Sequence, residues 1–314
     1  MRLQITSKIM MIQPVHFGYN EETGVDNHYM KPHEDSHEGW AQQQALKEFK
    51  DFVDKLRAHD IDVIVFEDTY DTYSPDSIFP NNWVSFHQDG RVALYPMYAE
   101  NRRTERRDDI LEKLSTDYHL KITEIKDFSH YEDKGGFLEG TGAMVLDRKN
   151  KQAYISISTR AHLHVFEDFC QVFGYKTMIF RAYHTVDGQR LPIYHTNVLM
   201  GIGENIAVIC ADAIDDSRER DQVLNAIAES GREVILISEE QKHSFAGNIL
   251  QLASGSGQIY TVMSSQAYAS LDIDQIERIE HRSKIIHSPL DTIEKLGGGS
   301  ARCMIAEIFL PKAD

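Results

Sequence analysis

The sequence lacks the features that mark membrane, secreted and nucleic-acid-binding proteins. No stretch approaches the ~18 uncharged apolar residues of a membrane span, and the start, MRLQITSKIMMIQPVHF, has no apolar run of signal-peptide length. The 3 cysteines are an odd number that forms no disulfide framework, so we expect a reducing cytoplasm. Positive charge is scarce: 33 Lys and Arg against 49 Asp and Glu give a formal charge of −16, which argues against nucleic acid and anionic membrane as partners.

Linkers and low-complexity tracts are also missing, so residues 1–314 are expected to form a single domain. Hydrophobic periodicity indicates long helices that alternate with short β-branched strands, as in α/β proteins. The predicted helices are Gly39–His59, Arg102–Tyr118, His162–Phe173, Ser217–Ser230 and Ile273–His281, and the predicted strands include Asp62–Phe66, Leu120–Ile125 and Glu233–Ile237.

A short pattern recurs five times along the chain: a small or polar residue followed by the apolar start of a strand. Its members lie 51 to 60 positions apart and are Asn82-Trp83-Val84, Gly142-Ala143-Met144, Asn197-Val198-Leu199, Asn248-Ile249-Leu250 and Cys303-Met304-Ile305. Even spacing predicts an internal structural repeat. Five equivalent strand starts around a pseudo-symmetry axis would aim their leading polar residues at one central pocket.

Three residues with the chemistry of a cysteine hydrolase lie at or near these starts: Cys303, His195 and Glu139. A thiolate needs a neighbouring imidazole, and the imidazole needs a carboxylate to orient it. Cys303 follows a glycine tract that permits close approach of a ligand to the backbone. Cys170 and Cys210, in apolar segments, are expected to be buried core residues.

At these motifs the sequence resembles the guanidino-group-modifying enzymes of the amidinotransferase superfamily, and in detail their bacterial citrulline-utilisation hydrolase branch. The matching segments are MIQPVHFGYNEETGVDN, DSIFPNNW, FLEGTG, PIYHTNVLMGIG, AGNILQL and GGGSARCM. The resemblance covers Met11 to Pro311 and implies the pentein fold, a five-bladed α/β propeller with pseudo-five-fold symmetry. It also implies a place in arginine metabolism.

The resemblance implies a role for each matching residue. Cys303 matches the family's catalytic thiol, His195 the histidine of the deiminases' His-Leu-Asp motif, and Glu139 the glutamate that pairs with it. Arg160 resembles the arginine that grips the substrate α-carboxylate, a task suited to a guanidinium fork. Asp76 and Phe79, in DSIFPNNW, are expected to contact the substrate as well.

The sequence departs from guanidino deiminases at the aspartates that surround the cationic group. Asn82 and Asn197 stand at two of these positions, and Gly142 at a third. An asparagine offers both an acceptor and a donor, which matches a neutral ureido group better than a guanidinium. Citrulline, hydrolysed to ornithine and carbamate through a covalent adduct of Cys303, is therefore the expected substrate. Asparagine carbonyls could still bind a guanidinium, with Glu139 supplying charge.

Other functions stay open at this point. Arginine or agmatine deimination, methylarginine hydrolysis and amidino transfer use the same triad, and some penteins are ribosome-binding factors without a thiol site.

The expected partner is a small ureido or guanidino amino acid; oligomeric state is left open. No cofactor or metal is expected: the polar cluster near the N-terminus matches no common ligand spacing and is read as a solvated loop. Its residues are His28, His33, Glu34, Asp35, His37 and Glu38.

Overall fold

The structure is a computed structural model that describes residues 2–31 and 39–313. The α/β fold expected from the sequence is confirmed. In the described part of the chain, five sheets have three strands each, and a separate hairpin pairs β9 with β10. The sheets are, in order, β1 (Lys8–Gln13), β2 (Asp62–Glu67) and β17 (Ala306–Glu307); β3 (Val84–Phe86), β4 (Arg91–Leu94) and β5 (Glu124–Asp127); β6 (Met144–Asp147), β7 (Gln152–Ser156) and β8 (Lys176–Phe180); β11 (Met200–Ile202), β12 (Ile206–Ile209) and β13 (Glu233–Leu236); β14 (Leu250–Ala253), β15 (Ile259–Ser264) and β16 (Lys284–Ser288), with the hairpin strands β9 (Tyr183–Val186) and β10 (Gln189–Pro192).

Every three-stranded sheet repeats one pairing scheme. Its first strand runs antiparallel to the middle strand, and the middle strand runs parallel to the third. A parallel pair needs a crossover, which helices α2 (Trp40–Ala58), α3 (Asp108–Thr116), α5 (Leu163–Phe173) and α6 (Ser217–Glu229) supply in four sheets and α8 (Ser265–Ser270) with α9 (Ile273–Glu280) in the fifth. The first sheet takes its first strand, β17, from the far end of the chain, which ties the two ends of the sequence together.

The helices pack apolar faces against these sheets. In α2 the buried residues are Ala45, Phe49, Phe52, Val53 and Leu56, as the helical period predicts. The helices are α1 (Glu21–Gly24), α2 (Trp40–Ala58), α3 (Asp108–Thr116), α4 (Gly140–Ala143), α5 (Leu163–Phe173), α6 (Ser217–Glu229), α7 (Glu239–His243), α8 (Ser265–Ser270), α9 (Ile273–Glu280) and α10 (Asp291–Gly297). Among the described residues, no helix combines the length and the apolar character that crossing a bilayer requires.

Four predicted helices are confirmed to within two residues at each end, as is the strand at Glu233. The helix predicted over Arg102–Tyr118 is wrong in its first half. A 3-10 helix spans Glu100–Glu105, the backbone is extended at Arg106, and α3 begins only at Asp108. The helix is interrupted at Arg106 because the guanidinium of this residue turns back to bind the carboxylate of Glu132. The strand predicted at Leu120–Ile125 also begins later, at Glu124.

Candidate active site

The five repeated segments found in the sequence each precede the first strand of a sheet. Asn82 ends a 3-10 turn before β3, Gly142 lies in α4 before β6, and Asn197 lies in a 3-10 turn before β11. Asn248 and Cys303 precede β14 and β17. Because equivalent turns carry them, residues far apart in sequence meet in one place.

The sulfur of Cys303 is held by two side-chain amides. Asn197 Nδ2 donates to Sγ across 3.3 Å, and Asn248 Nδ2 donates across 3.2 Å. The amide of Asn248 is itself oriented, since its oxygen accepts the backbone N–H of Arg302 at 3.0 Å. Two N–H donors therefore meet at one sulfur, the atom through which a cysteine reacts.

Asn248 was not among the predicted site residues. Its sequence signal was nevertheless present, because it is the leading polar residue of the fourth repeat. Asn197, the third, was predicted as a substrate contact, and the structure places its nitrogen on the sulfur while its oxygen is buried without a partner. That oxygen is an acceptor available to a ligand.

His195 and Glu139 form a buried pair. His195 Nε2 and Glu139 Oε2 are 2.8 Å apart, and the other Glu139 oxygen accepts the backbone N–H of Tyr98 at 3.0 Å. Burial would raise the pKa of Glu139, but the charge of Arg160 and the hydrogen bond to His195 outweigh it, so the pKa lies well below its usual value. Burial lowers the pKa of His195, and Glu139 opposes this effect.

Two buried guanidinium groups surround Glu139. Arg160 Nη1 is 3.6 Å and Arg102 Nη1 is 3.8 Å from its Oε2. Arg102 also binds Glu105 through Nε and Nη2, at 2.8 and 2.9 Å. Sequence reasoning missed Arg102, because in NRRTERR nothing distinguishes it from three neighbouring arginines.

Arg102 fixes the orientation of Asn82. Its Nη1 donates to Asn82 Oδ1 across 2.8 Å, and a guanidinium has no acceptor, so the atom that faces it must be the oxygen. Asn82 Nδ2 then donates to Asn81 Oδ1 at 3.0 Å. The oxygen of Asn82 is therefore already bound by a guanidinium of the protein, and the amide nitrogen is the atom of this side chain that could contact a ligand.

Gly142 explains one departure from the deiminase pattern. A Cβ at this position would lie 2.3 Å from Asn82 Nδ2 and 2.9 Å from the ring of His195. No side chain fits there without displacing one of these residues. The conformational freedom of the glycine tract before Cys303 serves the protein's own packing in the same way: Gly298 has φ +63, and a Cβ on Gly299 would lie 2.8 Å from the ring of Phe79.

Arg160 is engaged by a carboxylate of the protein. Its Nε donates to Asp26 Oδ1 at 3.0 Å, its Nη2 contacts the same carboxylate, and Nη2 also donates to the Thr23 carbonyl at 2.7 Å. Asp26 therefore binds the guanidinium that the sequence predicts to contact a substrate carboxylate. Sequence reasoning missed Asp26, although it lies in the matching segment MIQPVHFGYNEETGVDN, because it is 134 residues from Arg160 and no feature of the segment pairs the two.

Asp76 is buried with one oxygen engaged and one not. Its Oδ2 accepts hydrogen bonds from Asn20 Nδ2 and Thr23 Oγ1, both at 2.8 Å, whereas Oδ1 has no partner. A single cleft brings most of the predicted site together. It is lined by Asn27, Asp76, Phe79, Asn82, Arg102, Arg160, Tyr194, His195, Gly297, Gly298, Gly299 and Cys303.

Of the histidine-rich cluster near the N-terminus, only His28 lies in the described part of the chain. Among residues 2–31 and 39–313, no group of three or more His, Cys, Asp and Glu side chains has the arrangement of a metal site. His28 packs its ring 5.4 Å from that of His184. The remaining members of the cluster, His33, Glu34, Asp35, His37 and Glu38, lie outside the described residues.

Comparison with known proteins now decides the family. The family described as N,N-dimethylarginine dimethylhydrolase, eukaryotic, matches residues 13–310. The chain belongs to this family. No curated protein matched the sequence.

Solved structures share the fold of this dimethylarginine dimethylhydrolase family member. The cyanobacterial arginine dihydrolase ArgZ superposes with a TM-score of 0.73 and 17% identity, and covers 97% of this chain. The chain spans only 41% of full-length ArgZ. The N-terminal domain of ArgZ bound to substrate superposes with a TM-score of 0.71 and 17% identity, and the match covers 96% of this chain and 99% of that domain. A dimethylarginine dimethylaminohydrolase adduct with S-methyl-L-thiocitrulline has a TM-score of 0.61 and 14% identity, covering 97% of this chain and all of that one.

Proposed function

We propose that this protein is a cysteine-dependent hydrolase that cleaves a C–N bond of a ureido or guanidino group, with Cys303 as nucleophile. The observation that carries the proposal is the pair of amide N–H groups on the sulfur of Cys303, a residue that lines the same cleft as His195, the partner of Glu139. Cys170 and Cys210 have no comparable surroundings: burial raises the pKa of Cys170 to about 12 and also raises that of Cys210. The five sheets are, in this proposal, the blades of a pentein propeller whose central end is the site.

Citrulline is the proposed substrate. The orientation of Asn82 supports a neutral ureido group, because its oxygen is bound to Arg102 and its nitrogen can donate to a carbonyl oxygen. The free oxygen of Asn197 can accept from the ureido nitrogens. A guanidinium has only donors, so it could not accept a hydrogen bond from the Asn82 nitrogen.

The reaction proceeds through a covalent intermediate. The Cys303 thiolate attacks the ureido carbon, and His195, carrying a proton, delivers it to the departing δ-nitrogen, so that ornithine leaves and a carbamoyl thioester remains. Water then attacks the same carbon while His195 accepts its proton. The thiolate departs, and the released carbamate decays to carbon dioxide and ammonia. Glu139 orients His195 and stabilises its charged form.

Arginine dihydrolysis is a second candidate that one observation favours. The unpartnered oxygen of Asp76 is an acceptor that a guanidinium could use, and ArgZ, which shares this fold, is an arginine dihydrolase. In that reaction water attacks the same carbon in two successive hydrolyses, so arginine and two water molecules yield ornithine, carbon dioxide and two ammonia molecules.

Product analysis separates the candidates. The full chain is incubated separately with citrulline, arginine, agmatine, dimethylarginine and carbamoyl-putrescine, and the products are measured by mass spectrometry. We expect ornithine and one ammonia from citrulline, at a higher kcat/KM than any product from arginine. Citrulline accumulating from arginine would indicate a deiminase, ornithine with two ammonia molecules a dihydrolase, and dimethylamine a methylarginine hydrolase. Turnover of none, without substrate protection against iodoacetamide, would favour a binding factor.

The proposed reaction needs no cofactor, metal or macromolecular partner, because each of its steps uses side chains of the candidate active site. Three free cysteines, all buried, are consistent with a reducing compartment, and we propose the cytoplasm.

A further inference from the structure

A second cavity, of about 650 Å³, is lined by cationic side chains. Arg2, Arg91, Arg148 and Lys151 line it, and Asp89 supplies one carboxylate. This is an unusual local composition for a chain that carries a formal charge of −16.

The cavity is separate from the candidate active site. The site residues precede strands β3 and β6, whereas the cavity is formed where those strands end: His87 follows β3, and Arg148 follows β6. The cavity and the active-site cleft share none of the residues that line them. A ligand in the cavity would therefore leave the cleft unoccupied.

The cations of the cavity outnumber the carboxylates that pair with them. Arg91 pairs with Asp89 at 2.7 Å. Arg148 has Glu307 at 3.6 Å, but that carboxylate is also bound by Arg302 at 3.0 Å. Lys151 Nζ donates to a backbone carbonyl, that of Phe173, at 3.2 Å.

Burial and repulsion among these cations lower the pKa of two groups in the cavity. Burial lowers the pKa of Lys151, and Arg2, Arg148 and Arg91 lower it further, against the opposing charge of Asp89. Burial together with the same neighbourhood of cations holds the pKa of His87 well below its ordinary value, so its ring is neutral. An anion that entered the cavity would relieve this repulsion.

Aromatic rings hold the cations in place. The guanidinium carbon of Arg91 lies 4.5 Å from the ring centre of Phe173, that of Arg148 lies 4.2 Å from Phe309, and Lys151 Nζ lies 4.4 Å from Tyr175. Such contacts fix the position of a cation but neutralise none of its charge. Because the ring faces are covered, a ligand would be recognised by charge rather than by stacking.

We propose that this cavity is a binding site for a small oxyanion with at least two negative charges, either a phosphate-bearing compound or a polycarboxylate. Guanidinium groups bind both in the same bidentate way. The negative charge of the whole chain disfavours long polyanions, which would extend beyond the cavity onto an acidic surface.

Isothermal titration calorimetry on the full chain tests the proposal, with pyrophosphate in one arm and citrate in the other. We expect one saturable site for at least one of them, and the arm with the higher affinity identifies the chemistry. Arg2→Gln and Lys151→Asn should each weaken binding about tenfold or more, the effect of one lost charged hydrogen bond. Asparagine is chosen because Lys151 has φ +55, a conformation that asparagine tolerates.

The matched control is Arg218→Gln, the same change of charge at an exposed position on α6, remote in sequence from the cavity residues. It should leave the affinity within a factor of about two, since a surface charge acts only through screened long-range fields. Thermal unfolding of each variant shows whether it is folded. The proposal is overturned if neither anion binds the wild type, if folded Arg2→Gln and Lys151→Asn bind as tightly as the wild type, or if Arg218→Gln weakens binding as much as they do.

Discussion

The side-chain amide of Asn197 donates a hydrogen bond to the sulfur of Cys303 across 3.3 Å. A second amide, that of Asn248, donates to the same sulfur. Cys303 thus has two polar contacts although it packs within a hydrophobic cluster and only 4% of its surface is exposed. Buried cysteines are usually inert, and these two donors separate Cys303 from the other two cysteines of the chain.

Replacement of Cys303 by serine should abolish turnover and change the free energy of unfolding by no more than about 1 kcal/mol, because a serine oxygen can accept both amides. Cys170→Ser and Cys210→Ser should instead reduce stability by about 1–3 kcal/mol, the cost of a buried hydroxyl, while activity remains. Urea unfolding and a steady-state assay give both quantities. An inactive but folded Cys170→Ser variant, beside an active Cys303→Ser variant, would refute the nucleophile assignment.

The His195–Glu139 pair should act as one unit. His195→Ala is expected to lower kcat by roughly 10²–10⁴-fold, as for a general acid/base. Glu139→Gln should lower it too, because the partner 2.8 Å from the ring loses the negative charge that stabilises a protonated imidazole. The double variant should be little worse than His195→Ala alone. Losses that multiply in the double variant would show that Glu139 acts elsewhere, for example on Arg160.

Arg160 offers a test of the α-carboxylate contact. Arg160→Gln should raise KM for citrulline but not for carbamoyl-putrescine, which has no carboxylate. Asp26→Asn should have the opposite effect and lower KM for citrulline, because the protein's own carboxylate no longer competes for the guanidinium. Steady-state kinetics with both substrates measures this. Equal changes for the two substrates would mean that Arg160 supports the site only through Glu139.

The repeat in the sequence made much of the site predictable. Cys303, Asn82 and Asn197 are leading residues of repeated segments, and strand starts that are equivalent in the fold bring them near one another. His195 was recognisable because it lies two residues before such a segment. These features are local in sequence, so no knowledge of long-range contacts was needed.

What escaped prediction depends on pairing across the chain. Asp26 is a site residue only because it meets Arg160, and Arg102 only because burial and the Asn82 oxygen select it from a run of arginines. The helix predicted across Arg102 failed for the same reason. Charge and helical propensity allow a helix there, but Arg106 turns back to bind Glu132, 26 residues further along the chain, and α3 begins only at Asp108.

Glu294, in the helix before the glycine tract, should make stability depend on pH. Burial raises the pKa of Glu294 to about 7, against a hydrogen bond from Ser300, and the carboxylates of Asp291 and Glu48 add to the rise. Between its ordinary value of 4.5 and about 7, the folded state retains a proton that the unfolded state has released. Stability from this group is therefore complete below 4.5 and is lost as the pH rises towards 7, by an amount on the order of 3 kcal/mol.

Glu294→Gln should remove that dependence, since a glutamine cannot titrate. Urea midpoints measured from pH 5 to pH 8 should fall more steeply with pH for the wild type than for the variant, and the variant should be the more stable protein at pH 8. Asp291→Asn is a milder control, expected to reduce the slope only in part. Parallel curves for wild type and Glu294→Gln would show that Glu294 is ionised throughout.

The last prediction tests the asparagines that support citrulline as substrate. The variant Asn82→Asp with Asn197→Asp should impair citrulline hydrolysis, because ionised carboxylates cannot donate to the ureido oxygen. At position 197 a carboxylate would also replace the amide N–H that donates to the Cys303 sulfur, so this hydrogen bond would be lost. At position 82 the new carboxylate would meet Arg102, whose Nη1 already contacts that oxygen, so this change should be the better tolerated one.

The two single variants therefore separate binding from nucleophile activation. Asn82→Asp alone should raise KM for citrulline and lower the inhibition constant of arginine, because a guanidinium gains a counter-charge. Asn197→Asp alone should chiefly lower kcat and slow the labelling of Cys303 by iodoacetamide, because the sulfur loses a hydrogen-bond donor. The readouts are kcat/KM for citrulline, an inhibition constant for arginine and the labelling rate. If the wild type already turns over arginine faster than citrulline, the substrate assignment fails. If Asn82→Asp loses citrulline activity without gaining arginine affinity, Asn82 contacts something other than the ureido group.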